Sequence, residues 1–376
     1  MRWDIFCRVV DNFGDIGVCW RLARQLVNEQ GRWIRLYVDD WMALRRLLPE
    51  APERPVACLL DGVEVLPWSL AEGDTDAADC VIEAFACELP SAYLNAMRCR
   101  RPAPVWVNLE YLSAEAWIED CHGLPSPDPA TGLAKAFFFP GFTSRTGGLI
   151  RECDVFERRD AAQALDGRLL WQTRHATPGA SAASRWVSLF SYENPALAGL
   201  LEAWQTDAQP TLLWVPEGKA LRQVADCLGM AAEAGAHVRA GALTVRALPF
   251  LSMRDYDALL ALCDINFVRG EDSFVRAQWA ARPMVWQAYP QSDATHLVKV
   301  NAFLARYAAA LDADARARVQ RFWMAWNQGG DVSALWKDYA ATQATQARHA
   351  RQWCRELGRQ GDLARRLVDF VDRIVK

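Results

Sequence analysis

No stretch of this sequence approaches the roughly 18 apolar residues that a membrane span requires. The opening Met1–Val10 carries Asp4 inside its apolar run, so neither an anchor nor a secretory leader is expected, and the chain is expected to stay in the cytoplasm. Histidine is scarce: His122, His175, His237, His296 and His349 form no H-E-x-x-H or comparable ligand set. Cysteine is not scarce, but the eleven present contain no C-x-x-C pair. That excludes a zinc site and a disulfide framework, and predicts buried free thiols in a reducing compartment. Neither a Walker phosphate loop nor a G-x-G-x-x-G fingerprint occurs, which weakens a dinucleotide oxidoreductase. An excess of positive charge is also missing: the formal net charge is −4, and nucleic acid is not expected as the main partner. Internal repeats and low-complexity tracts are absent.

What the chain does have is 376 residues, 52% hydrophobic and 23% charged, enough for two globular domains. Its seventeen tryptophans stand mostly in strand-like or helical apolar patterns and are expected in cores. Ile5 to Val10, a turn-rich Asp11–Asp15, a helix over Ile16–Gln30 and a strand over Trp33–Val38 begin a parallel sheet with crossover helices. Val18, Leu22, Leu26 and Val27 form the inner face of that helix. Cys80–Phe85 and Pro104–Leu109 continue the sheet, whereas the Pro/Gly-rich stretch from about 119 to 150 is expected to be an irregular binding loop. The small polar run Thr177–Ser184 is the expected linker. After it, strands over Trp186–Phe190, Thr211–Val215, Leu243–Leu248, Asp264–Val268 and Met284–Gln287 alternate with helices, and the remainder is helical. The predicted architecture is α/β, two Rossmann-like doubly wound domains facing a central cleft. They cover 1–184 and 185–360, with a last helix (about 361–376) returning to the first.

Ligands of open parallel sheets bind beyond the carboxyl ends of the strands. Two loops fall there. Asp11-Asn12-Phe13-Gly14-Asp15 leads into the first helix with two carboxylates, which suits general-base work or orientation of a cationic acceptor. The alternative makes Asp15 a helix cap and Asp11 a turn residue. Arg269-Gly270-Glu271-Asp272-Ser273-Phe274 ends a buried strand; its guanidinium and helix N–H groups suit a diphosphate without a metal. The alternative is a helix capped by Asp272 or Ser273 with Glu271 solvated. Phe190, Tyr192, Phe250 and Tyr289 stand at strand ends, placed either to stack on a base or to fill a core.

Longer motifs carry a resemblance. Ile5–Leu26, V-I-E-A-F-A-C-E-L-P (Val81–Pro90), L-E-Y-L-S-A-E (Leu109–Glu115), Phe138–Glu152, F-S-Y-E-N (Phe190–Asn194) and Phe267–Ala280 resemble the protein-arginine rhamnosyltransferases that modify bacterial translation elongation factor P. The likeness covers essentially the whole chain; Phe13 stands where some members have tyrosine. It implies the glycosyltransferase B fold, a dTDP-β-L-rhamnose donor held by the second domain, inversion at the sugar, no metal, and an arginine of elongation factor P as acceptor. By motif, it implies Asp15 as catalytic base with Asp11 beside it and Glu271 as a second essential acid. It further implies Arg269, Asp272, Ser273 and Tyr289 as diphosphate and sugar contacts, with Phe190, Tyr192 and Phe250 around the nucleotide. The rivals are a transferase with another sugar or a small acceptor, and a non-catalytic module that docks on elongation factor P.

Overall fold

The computed structural model describes every residue except 12, 74, 130, 176–183, 292 and 376. Asn12 and all but Ser184 of the expected linker therefore lie outside the described residues. The chain divides into two units, Met1–Cys153 with Gly358–Lys376, and Asp154–Leu357.

The first unit holds strands β1 (Arg2–Cys7), β2 (Trp33–Val38), β3 (Cys58–Leu60), β4 (Val63–Pro67), β5 (Cys80–Ala84), β6 (Val105–Leu109), β7 (Pro125–Pro127) and β8 (Ala134–Phe138). They form one sheet in the order β3-β4-β2-β1-β5-β6-β8-β7. Only the hairpin partners β3 and β7 run antiparallel. From β1 the chain winds outward through β2 and β4, then returns to β5 and winds the other way, so the order reverses between β1 and β5. Strands buried on both faces need helices above and below, which explains their near-continuous apolar runs. Phe6 stacks on Tyr37 at 4.5 Å and meets Tyr93 edge-on, forming an aromatic core on one face. Asp4, fully buried in β1, accepts from the Arg35 guanidinium at 2.7 Å and from the Tyr93 hydroxyl.

The stretch 119–150 departs from the sequence expectation. Within it β8 is an interior strand pairing β6, and β7 caps the edge. Pro125 and Pro127 sit on that edge strand, where a missing N–H costs least.

The second unit holds β9 (Arg185–Leu189), β10 (Thr211–Pro216), β11 (His237–Ala240), β12 (Leu243–Leu248), β13 (Ile265–Arg269) and β14 (Met284–Gln287), ordered β11-β12-β10-β9-β13-β14. The reversal here lies between β9 and β13. The units divide at Cys153/Asp154 rather than at the expected 184/185. Helices Val155–Ala162 and Gly167–Arg174 pack with the second unit, where Gln163 donates to the carbonyls of Ala261 and Ala280, and Arg168 to Leu262 and Asp264. The helix Leu363–Val375 lies on the first unit: Arg32 donates to Asp372 at 2.9 Å, and Gln25 donates to Asp362 at 3.0 Å.

All tryptophans except Trp33, Trp117 and Trp353 are buried. The cysteines follow the expectation less closely. All eleven are free thiols, but Cys99, Cys153 and Cys227 are exposed and Cys58 and Cys121 half-exposed. Four of these lie at or beside element ends and Cys153 in the turn before Val155–Ala162, where an apolar neighbourhood in sequence does not become one in space. Among the described residues no helix is long and apolar enough to cross a membrane.

Candidate functional site

Each unit presents a constellation at the carboxyl edge of its sheet, at the point where strand order reverses. That edge is where crossover connections part and leave room for a ligand.

In the first unit the chain leaves β1 at Cys7 and enters the helix Gly14–Asn28. Phe13 is the cap residue and supplies no side-chain cap. Asp15 therefore is not the cap. Its carboxylate turns back, and Oδ2 accepts from the N–H groups of Val10 and Asp11 at 2.7 and 2.9 Å. Gly14 lies close to the Asp11 side chain: a Cβ there would stand 2.9 Å from Oδ2, so the carboxylate would have to shift. Asp15 is only 2% exposed, and burial pushes its carboxyl above the ordinary carboxylate range. The two backbone N–H groups and the Tyr111 hydroxyl oppose that shift, while the charge of Asp11 adds to it. Asp11 is half-buried beside it. The loop thus pairs a buried carboxyl, raised above its ordinary range, with a more accessible one.

Tyr111 was not among the residues singled out as functional. It follows β6, and its ring stacks on Phe85, which follows β5, at 4.3 Å and 14°. Both lie in motifs that carry the resemblance, the one signal that marks them.

In the second unit β13 ends at Arg269, Gly270 adopts a left-handed φ of +58°, and a helix begins at Asp272. Arg269 is buried. Its guanidinium lies over the rings of Phe190 at 4.4 Å and Tyr192 at 4.7 Å, and Nη1 donates to the Ser191 carbonyl at 3.4 Å. No carboxylate among the described residues forms an ion pair with it. A buried cation held by two rings and one carbonyl retains donors for an anion. The capping alternative does not hold: Glu271 is the cap residue, without a side-chain cap, and the Ser273 hydroxyl accepts from the Arg269 N–H at 3.0 Å and donates to its carbonyl at 2.5 Å. Ser273 thus clamps the Arg269 backbone. Glu271 and Asp272 are half-buried beside it.

Tyr192 also meets Tyr289 edge-on at 5.4 Å, and its N–H donates to Gln287 at 3.0 Å. Tyr289, 47% exposed, leaves its ring to solvent. Phe250 is half-buried in the turn after β12, two strands from β9. Ser191, absent from the sequence-based candidates, has a buried hydroxyl with no hydrogen-bond partner among the described residues. Among the described residues no cluster of three or more His, Cys, Asp or Glu side chains suits a metal ion.

Residues 3–372 match the sequence profile of the family described as "Elongation-Factor P (EF-P) rhamnosyltransferase EarP". A protein-arginine rhamnosyltransferase of Pseudomonas aeruginosa is 51% identical over 371 residues, covering 98% of each chain. A solved structure described as "Structural basis for EarP-mediated arginine glycosylation of translation elongation factor EF-P" is similar with a TM-score of 0.71 and 35% identity, over 99% of both chains. The spinosyn rhamnosyltransferase SpnG, 12% identical, shares the fold alone, with a TM-score of 0.51 over 99% of this chain and 100% of that one. The architecture is the glycosyltransferase B type.

Proposed function

The chain belongs to the elongation factor P rhamnosyltransferase family, and from that premise we propose that it moves L-rhamnose from dTDP-β-L-rhamnose to an arginine side chain of elongation factor P, with inversion. The observation that carries this reading is the buried guanidinium of Arg269, spread over Phe190 and Tyr192 with no acidic partner among the described residues. A leaving diphosphate needs such charge stabilisation. In the reaction an arginine nitrogen attacks the anomeric carbon, the bond from that carbon to the diphosphate oxygen breaks, and the nitrogen loses a proton. Arginine is protonated at any physiological pH and is a poor nucleophile, so carboxylates that fix its plane and take the proton are needed. Asp15 is the base and Asp11 its neighbour in orienting the cation; Glu271 is the second essential acid. Arg269, Asp272, Ser273 and Tyr289 serve the diphosphate and sugar, Ser273 by holding the Arg269 backbone. Phe190, Tyr192 and Phe250 surround the nucleotide. The reaction takes place in the cytoplasm, where elongation factor P and the nucleotide sugar meet.

Incubating the protein with elongation factor P and candidate donors, then measuring intact mass, tests the proposal. Gain of one deoxyhexose from dTDP-β-L-rhamnose is expected, and EDTA leaves the rate unchanged. Binding of the acceptor with no sugar transferred from any donor would favour the docking module. Strict dependence on magnesium would sink the metal-free account.

Selectivity for the acceptor cannot come from the guanidinium, which free arginine also offers. It must come from folded surface around the modified residue, which positions the nitrogen. The folded acceptor domain is expected to be modified efficiently, with free arginine and short loop peptides as poor substrates. Equal kcat/KM for peptide and folded domain would point instead to recognition of local sequence.

A further inference from the structure

One peptide group in the second unit is held from both ends. The carbonyl of Ser191, in the loop after β9, accepts from Arg269 Nη1 at 3.4 Å. The N–H of the same peptide, that of Tyr192, donates to Gln287 Oε1 at 3.0 Å. Arg269 and Gln287 are the last residues of β13 and β14 and are register partners, so their side chains rise from the same face of the sheet. β13 lies between β9 and β14, and the Gln287 side chain therefore reaches past it to the loop beyond. Both side chains are buried.

The strand end that carries Gln287 is itself fixed. Its carbonyl accepts from the Gly270 N–H at 3.2 Å, and Trp286 Nε1 donates to the Gly270 carbonyl at 2.8 Å. Asn327 donates to the Trp286 carbonyl at 2.8 Å and accepts from the Ala288 N–H at 3.1 Å. A side chain rooted this firmly sets the Ser191–Tyr192 peptide. Arg269 lies against that segment twice, at the Ser191 carbonyl and over the Tyr192 ring.

We propose that Gln287 is a positioning residue for the phosphate clamp: its side-chain carbonyl fixes the Ser191–Tyr192 peptide against Arg269, and its neutrality leaves the charge of the guanidinium to the diphosphate. The inference rests on the reading of Arg269 as the diphosphate site. Glutamine meets both demands. The buried Tyr192 N–H needs an acceptor. Glutamate would accept as well, but its charge would pair with Arg269 and repel an anion. An apolar side chain would spare the charge and strand the N–H.

Gln287→Glu keeps the length and the acceptor and adds only the charge, whereas Gln287→Met keeps the length and removes the acceptor. Calorimetric titration with thymidine diphosphate and with thymidine, beside thermal unfolding at pH 7, reads both effects. Gln287→Glu is expected to bind thymidine diphosphate about 10-fold more weakly than the parent and thymidine equally well. It should melt no lower, because the buried guanidinium gains a counter-charge. Gln287→Met is expected to melt lower and to lose about 3- to 10-fold in affinity for the diphosphate. Support of the fold alone would not weaken one ligand selectively in a variant of full stability. Unchanged diphosphate affinity in either variant overturns the inference, as does a Gln287→Glu protein that loses both ligands alike. A parent that binds thymidine diphosphate but transfers no rhamnose counts against the proposed function instead, and the titrations still decide the role of Gln287.

Discussion

Asp15→Asn is expected to lower turnover by about 10²–10⁴-fold while leaving the melting temperature at pH 7 unchanged or higher. The first half follows from the proton, which an amide cannot take. The second follows from the carboxylate's surroundings. Burial pushes Asp15 above the ordinary range, and Asp11 pushes the same way. A carboxyl whose folded pKa lies above its unfolded value contributes stability that is complete below the unfolded value. That contribution is lost as pH rises through the folded one. Above the folded pKa the ionised side chain is therefore a cost to the fold, and asparagine removes it. One amide oxygen still accepts from the Val10 and Asp11 N–H groups, so the loop keeps its shape. Asp15→Ala is a different experiment: it strands those two N–H groups, at about 1–3 kcal/mol for each that finds no water, and the melting temperature falls. Single-turnover transfer measured by mass, beside thermal unfolding of both variants, separates the roles. Near-normal turnover in Asp15→Asn would reduce Asp15 to a brace for its loop.

Arg269→Ala is expected to weaken binding of the nucleoside diphosphate and of the intact donor by about 10- to 100-fold, the range of a charge-assisted hydrogen bond, with little change for the bare nucleoside. Arg269→Lys should recover only part of this. The planar guanidinium lies over two rings and presents a fork of donors, and an ammonium offers neither feature. Calorimetric titration with nucleoside and nucleoside diphosphate makes the comparison. Parallel losses for both ligands would mean that the substitution damaged the base pocket, and unchanged diphosphate affinity would place the anion elsewhere.

The two loops at the sheet edges were legible in the sequence because their signals are local. A buried strand, a turn-rich break and an amphipathic helix follow one another within about 25 residues at Arg2–Asn28, and again around Arg269. Other features were not legible, for definite physical reasons. Strand β8 is short and hemmed in by prolines and glycines, so its apolar run Ala134–Phe138 looks like loop until β6 pairs with it. The helices Val155–Ala162 and Gly167–Arg174 are too polar to announce a core face, and the boundary at 153/154 passed unnoticed. No glycine marks the left-handed residues Phe85, Ala86 and Glu88, because their conformation is imposed by partners 5 to 24 residues away in sequence. Tyr111 lies 96 residues from Asp15, a distance over which periodicity carries no information.

The helix Leu363–Val375 closes a unit that began some 360 residues earlier. Gly148, at a φ of +75°, leaves room for the Gly361 carbonyl, which stands 2.6 Å from where a Cβ would be. Arg366 donates to the carbonyls of Thr143 and Thr146. On the ribosome these contacts cannot form when the first unit emerges, because the roughly 200 residues of the second are made in between. At 5–20 residues per second the first unit waits roughly 10–40 s, with its helix Gly14–Asn28 uncovered on that side. The half of the molecule that is synthesised first is thus the half that is finished last. A nascent chain halted before residue 363 should remain open to proteases across Gly14–Asn28 even after its second unit has become resistant.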